Sequence, residues 1–181
     1  MDASAADSAA DSAADAGVTA LYTAHHAPMV RLATLLLRDR MLAEEIVQDA
    51  FVAVHGRWDR LREPAHAAAY LRQTVVNRSR SALRRRVVER RHAPAAPPDA
   101  PPADEDVLTR ERRTEVFAAL QALPTRQREV LVLRYYLDLS EADIAATLGI
   151  SRGAVKSHAS RGSARLREVL GIRPDDGEDL R

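Results

Sequence analysis

Arg152, Lys156, Ser157, Ser160 and Arg161 stand at spacings that suit contact with a polyanion. Wound as a helix, Gly153, Ser157, Ser160, Arg161 and Ala164 share one arc, with Lys156 and Arg167 at its edge. Val155, Ala159, Gly162 and Leu166 step by four, three and four on the opposite side. A helix with short side chains outward can sink into the major groove of a duplex, where flanking cations reach phosphates or guanine edges. Arg161, on the outward arc, is placed for base edges and Lys156, at the margin, for phosphate. A second set, Asn77, Arg80, Arg84 and Arg85, belongs to a stretch with seven arginines between 78 and 91. Gln73 and Asn77 add amides able to bond base edges. A third set differs in kind: Glu44, Glu45, Gln48 and Asp49 form an acidic and amide patch, poorly placed for DNA and suited to a basic protein surface. The bland alternative for each set is a solvated helix face. An acidic first turn favoured by the helix dipole accounts for Glu44 and Glu45 but not for Gln48 and Asp49.

Elements of definite kind must hold these residues. Ser140 with Asp143 three residues later reads as a capping box, followed by a short helix that buries Ile144, Ala145 and Leu148. Gly149 supplies a tight exit, Ile150 turns back to the core, and Ser151 caps the next helix. Ala145, Gly149 and Val155 stand at the offsets of a helix-turn-helix, where small residues let two helices cross closely. Upstream, Leu71, Val75, Val76, Leu83 and Val87 fall on one arc, with Gln73, Asn77, Arg80, Arg84 and Arg91 opposite. A helix from about Met41 to Trp58 carries Leu42, Val47, Phe51 and Val54 as its buried stripe, and Trp58 at its end reads as core.

The expected architecture is all-α: two small helical domains joined by a flexible Pro-rich linker, the second containing the helix-turn-helix. Residues 1–17, a repeat of small residues and Asp, read as a disordered or loosely helical acidic tail. Residues 18–91 form the first domain, the proline- and acid-rich 92–106 the linker, 107–172 the second domain and 173–181 a solvated tail. The net charge of +1 conceals segregation, running −4, +7, −4, +4 and −2 over those five segments. Two basic modules flanked by acidic segments fit a polyanionic partner.

Much is excluded. There is no cysteine, hence no disulfide or thiolate metal site, and the His25-His26 pair lacks partners at ligand spacing and reads as helix surface. No phosphate-binding glycine loop or nucleophile elbow appears, so neither an enzyme nor a cofactor is expected. No apolar run approaches membrane-spanning length and no secretory signal opens the chain, which points to the cytoplasm. Of 27 basic residues only Lys156 is lysine, but Ala and Arg richness is what a high-GC genome produces and carries no function.

Three stretches in this order, "AEEIVQDAFVAVHGRWDRL", "AYLRQTVVNRSRSALRRR" and "LPTRQREVLVLRYYLDLSEADIAATLGISRGAVKSHASRGSARLRE", resemble a bacterial RNA polymerase sigma factor of the extracytoplasmic-function type, nearest the actinobacterial SigE-like branch. The resemblance covers about residues 18 to 171 and implies a promoter-specificity subunit that binds core RNA polymerase. It implies that Glu45, Gln48, Asp49 and Phe51 lie in the helix that docks on the β′ clamp coiled coil, with the β flap a further expected contact. It places the capture of a flipped −10 base between Arg57 and Tyr70, −10 contacts between Leu71 and Arg86, and Arg152, Lys156, Ser157, Ser160 and Arg161 in the −35 major groove. It also implies promoter DNA and an anti-sigma factor as partners. Two departures stand out: Ser81 where the family carries Asp, and Gly162 where it carries alanine, a change that weakens a helix by up to about 1 kcal/mol. The alternatives are a free-standing helix-turn-helix repressor or activator, and a basic interaction module. The linker, able to extend about 45–50 Å, favours two DNA-reading domains on separated elements.

Overall fold

The computed structural model describes residues 3–61, 63–89 and 107–172, and the regular structure among them is helical. The linker expected over 92–106 and the tail 173–181 lie outside the described residues. The chain divides into two compact units, Met1–Ala95 and Ala96–Arg181.

The first unit comprises α1 (Ala3–Leu37), α2 (Arg40–His55), a 3-10 turn (Trp58–Arg60) and α3 (Pro64–Glu89). The Asp/Ala repeat continues α1 as helix back to Ala3, in keeping with alanine's high helix propensity. Leu21, Leu32, Ala33, Leu36 and Leu37 form the buried stripe of α1, against Ala43, Ile46, Val47, Ala50 and Val54 of α2 and Ala67, Leu71, Val75 and Val76 of α3. Each of the three helices packs on the other two. The fully buried alanines among them let the axes approach, which is how a chain so poor in aromatics fills a core. The aromatic cluster is small: Tyr22 stacks on His26 at 4.4 Å and tilts against Phe51 at 5.0 Å. His25 and His26, expected at the surface, are half-buried.

At the α1–α2 corner Asp39 has two duties. Its Oδ1 accepts from the Leu42 amide at 2.9 Å, capping α2, and its Oδ2 accepts from Arg86 of α3. Burial pushes the Asp39 carboxyl up, but the Leu42 amide and the Arg86 guanidinium together outweigh it and hold the group below its usual range. Its contribution to stability is therefore full above the ordinary carboxylate value of about 4 and disappears as pH falls through the lowered native value. Asp39→Ala is expected to lower stability by about 1–2 kcal/mol near neutrality, with the gap to the parent narrowing as pH falls below the ordinary carboxylate value of about 4. Urea unfolding of both proteins across that range measures it.

The second unit comprises α4 (Val107–Gln121), α5 (Thr125–Tyr135), α6 (Glu141–Leu148) and α7 (Arg152–Val169). α7 lies against the other three, and its Val155, Ala159 and Gly162 are buried with Val130, Leu131 and Leu133 of α5 and Ile144 and Leu148 of α6. Arg128 and Glu129 are also buried. Arg128 bonds the Gln121 amide oxygen and Glu129 accepts from Arg126 at 3.0 Å, so both charges meet polar partners, as buried charges must. Gly162 has a packing reason to be glycine: a Cβ there would stand 3.1 Å from Leu131 Cδ1 and 3.2 Å from Gln127 Cβ. The helix propensity lost at this position accompanies a close α5–α7 crossing.

Candidate nucleic-acid interface

Capping builds the helix-turn-helix. Ser140 Oγ accepts from the Asp143 amide at 3.2 Å and its hydroxyl donates to the Asp143 carboxylate at 2.6 Å. Gly149 adopts the left-handed conformation at φ 64°, which ends α6 within one residue. Ser151 Oγ then accepts from the Ala154 amide at 3.1 Å and starts α7. The result presents Arg152, Gly153, Lys156, Ser157, Ser160 and Arg161 to solvent on one side of α7, the arc expected from the sequence.

Two of these side chains are held in ways that the sequence does not announce. Arg161 folds back along its own helix, donating through Nη2 to Ser157 Oγ at 2.8 Å and through Nε to the Ser157 carbonyl at 3.3 Å. Lys156 Nζ stands 3.8 Å from Glu141, which also faces Arg134 at 3.7 Å. Glu141 thus ties the cationic margin of α7 to the start of α6. Exposed pairs of this length hold a side chain loosely, so Lys156 remains available to phosphate.

On α3, Leu71, Val75, Val76, Ser79 and Ala82 point inward while Asn77, Arg84 and Arg85 are exposed and Arg80 is half-exposed. Arg80 Nη1 donates to Asn77 Oδ1 at 3.2 Å, and Arg84 Nη2 donates to Ser81 Oγ at 3.1 Å. Each pair spans three residues along the ridge, and Ser81 serves as an acceptor in one of them. Arg57 places its guanidinium over the Tyr70 ring, 5.4 Å from the centroid, beside the 3-10 turn that carries Trp58 and Arg60. Trp58, expected in the core, is half-buried.

On α2, Glu45, Gln48 and Asp49 are exposed, and Met41 and Val52 extend the same side with exposed apolar side chains. Phe51 is buried and supports this face from beneath through Tyr22 and His26, so it does not share the surface of Gln48 and Asp49. Asp49 Oδ2 accepts from Arg78 Nη1 of α3 at 2.5 Å, which fastens the acidic face to the basic ridge. Nothing in the spacing of residues 29 apart predicts that pair. No helix among the described residues is long and apolar enough to cross a membrane.

Two all-helical units with basic faces, one of them a helix-turn-helix, define a DNA-binding protein of transcription. Residues 21–88 match sigma-70 region 2 and residues 113–166 match sigma-70, region 4. The RNA polymerase sigma-E factor of Streptomyces coelicolor is 34% identical over 152 residues, which cover 84% of this chain and 85% of that protein. The ECF RNA polymerase sigma factor SigM of Mycobacterium tuberculosis is 34% identical over 83% of this chain and 76% of its own length. Among solved structures, the sigma factor RpoE in complex with the anti-sigma factor NepR from Bartonella quintana aligns with a TM-score of 0.67 at 26% identity, over 86% of this chain and 92% of that one. CnrH in complex with the cytosolic domain of CnrY gives 0.64 at 25%, over 89% and 96%. The chain belongs to the sigma-70 family, as an extracytoplasmic-function sigma factor of the actinobacterial SigE-like type. It is a transcription initiation factor that binds core RNA polymerase and recognises −10 and −35 promoter elements, and a free-standing repressor or activator is not supported.

Proposed function

We propose that the three surfaces divide the work of initiation. The exposed side of α2 around Glu45, Gln48 and Asp49 docks on the β′ clamp helices, its acid and amide groups suiting a basic partner surface. Asn77, Arg80, Arg84 and Arg85 of α3 contact the −10 element, and the segment from Arg57 to Tyr70 faces the melted strand. Arg152, Lys156, Ser157, Ser160 and Arg161 read the −35 element, with Arg161 on base edges and Lys156 on phosphate. Residues 92–106 strap the two reading domains together, and the β flap is a further contact of the second. The chain works in the cytoplasm, as a specificity subunit and not as a catalyst. An anti-sigma factor is a further partner, since the RpoE neighbour is a sigma factor seen with one.

The observation that carries this reading is the division of α7, whose polar arc is exposed along its length while Val155, Ala159 and Gly162 are buried. Each basic module is small by itself, and residues 92–106 separate the two in sequence. The purified chain alone should bind promoter DNA with little preference over random duplex. If six phosphates are neutralised, its affinity should fall by about a thousandfold between 50 and 200 mM salt. Core enzyme should confer selectivity by fixing the spacing. Fluorescence anisotropy at several salt concentrations, with and without core, is the test. Tight, selective binding by the chain alone contradicts it.

A further inference from the structure

The acidic start of α1 has no part in the division of work above, and the region 2 match begins only at residue 21. Residues 1–17 nevertheless carry four aspartates and no base, and the structure brings their end onto the 3-10 turn. Asp15 Oδ1 lies 3.1 Å from Nε2 of His55, the last residue of α2. Two residues on, the backbone of Gly17 lies against the indole of Trp58, so close that a Cβ at that position would overlap the ring at Cζ2, Cε2 and Cη2. Glycine is a poor residue inside a helix, and among the alanines of this segment it stands where the contact leaves no room for a side chain.

We propose that this acidic helix is a displaceable cover over the Trp58 surface, competing with single-stranded DNA for it. The surface is of the kind that takes an unstacked base: Trp58 and Tyr70 offer two rings, with Arg57 and Arg60 exposed beside them. One of those rings is occupied by the Gly17 backbone, and a carboxylate stands at the margin. The Asp15 carboxylate and the Gly17 backbone stand where a strand's phosphate and base would come, so the segment and a nucleic-acid strand exclude one another. The seat is also weak enough to leave. Both members of the Asp15–His55 pair are more than half exposed, and such pairs are worth little. The cover lowers affinity for single strands in the free chain and yields when the strand is presented on the polymerase.

The proposal rests on the assignment of residues 57–70 to the melted strand, and one experiment separates the two. Full-length protein is titrated against a fluorescein-labelled single-stranded 12-mer and against a duplex of the same sequence, with the emission of Trp58, the only tryptophan, recorded in parallel. Gly17→Val keeps every charge and forces the indole off the helix. Ala16→Pro breaks the helix at the seat while leaving intact the core that begins at Leu21. Both are expected to red-shift the free-state emission and to tighten single-strand binding about threefold to tenfold, the size expected of one exposed ion pair and one partly covered ring. Duplex affinity should stay unchanged. Trp58→Ala should weaken single-strand binding in either background. If the emission shifts and single-strand affinity does not, the cover is refuted while the strand assignment stands. If Trp58→Ala has no effect on single-strand binding, both are refuted.

Discussion

Replacing Arg161 by alanine is expected to remove about 1–3 kcal/mol of discrimination at the upstream promoter element, a loss of roughly fivefold to 150-fold in preference, while binding to scrambled elements changes far less. The guanidinium stands on the exposed arc of α7, held by the Ser157 hydroxyl and carbonyl until a better acceptor arrives. In the proposed reading a base edge is that acceptor, and the bidentate fork of arginine suits the paired oxygen and nitrogen of guanine. Lys156→Ala should behave differently. Its ammonium stands at the margin against Glu141, so its loss should weaken all sequences alike and reduce the salt dependence by about one phosphate. Competition binding by the assembled holoenzyme against a library of upstream variants distinguishes a lost preference from a uniform weakening.

A second large effect belongs to α2. Gln48→Arg together with Asp49→Arg should abolish co-purification with core polymerase and leave the helical circular dichroism intact, because like charges brought face to face cost several kcal/mol. The Asp49–Arg78 pair complicates the double change, since removing the carboxylate also frees an arginine on the neighbouring helix. Gln48→Arg alone avoids this: Gln48 is exposed, and its substitution leaves the pair in place. It too should prevent capture of core by a tagged chain. Undiminished capture by the single and the double variant removes α2 from the interface.

The elements were legible where local chemistry decides them. Ser140, Gly149 and Ser151 each act within three or four residues of chain, so the helix-turn-helix could be read with its caps and most of its buried set, although Ala145 and Leu166 are half-buried and Thr147 is buried instead. The arcs of α2 and α3 follow from 3.6-residue periodicity: Val47, Phe51 and Val54, and Leu71, Val75 and Val76, are buried as that period puts them, while Leu42 and Leu83 are half-buried and Arg91 lies outside the described residues. Less visible were features that depend on distant residues. Asp39 caps a helix by local rules, yet its bond to Arg86 depends on how α3 crosses the corner. Phe51 belongs to the buried stripe of α2, and only packing shows that Tyr22 and His26 of α1 lie against it. Trp58 reads as core from its neighbours in sequence, whereas its real neighbour is Gly17, 41 residues away. Gly162 looks like a weakness until Leu131 and Gln127 are seen against it. Composition marked residues 1–17 as a disordered or loosely helical acidic tail, and the high helix propensity of alanine accounts for α1 starting as early as Ala3.

The most direct measurement is transcription by core RNA polymerase reconstituted with this chain, on a promoter recovered from its own selection and on derivatives mutated singly at the −10 or the −35 element. Open complexes and run-off transcripts should appear only with both the chain and core enzyme present, and should fall with mutation of either element. Asn77→Ala and Arg80→Ala should impair response to the downstream element or strand opening while leaving upstream preference intact. Transcripts independent of the chain, or selective duplex binding by the chain that core enzyme neither needs nor improves, would contradict its role as the promoter-specificity subunit.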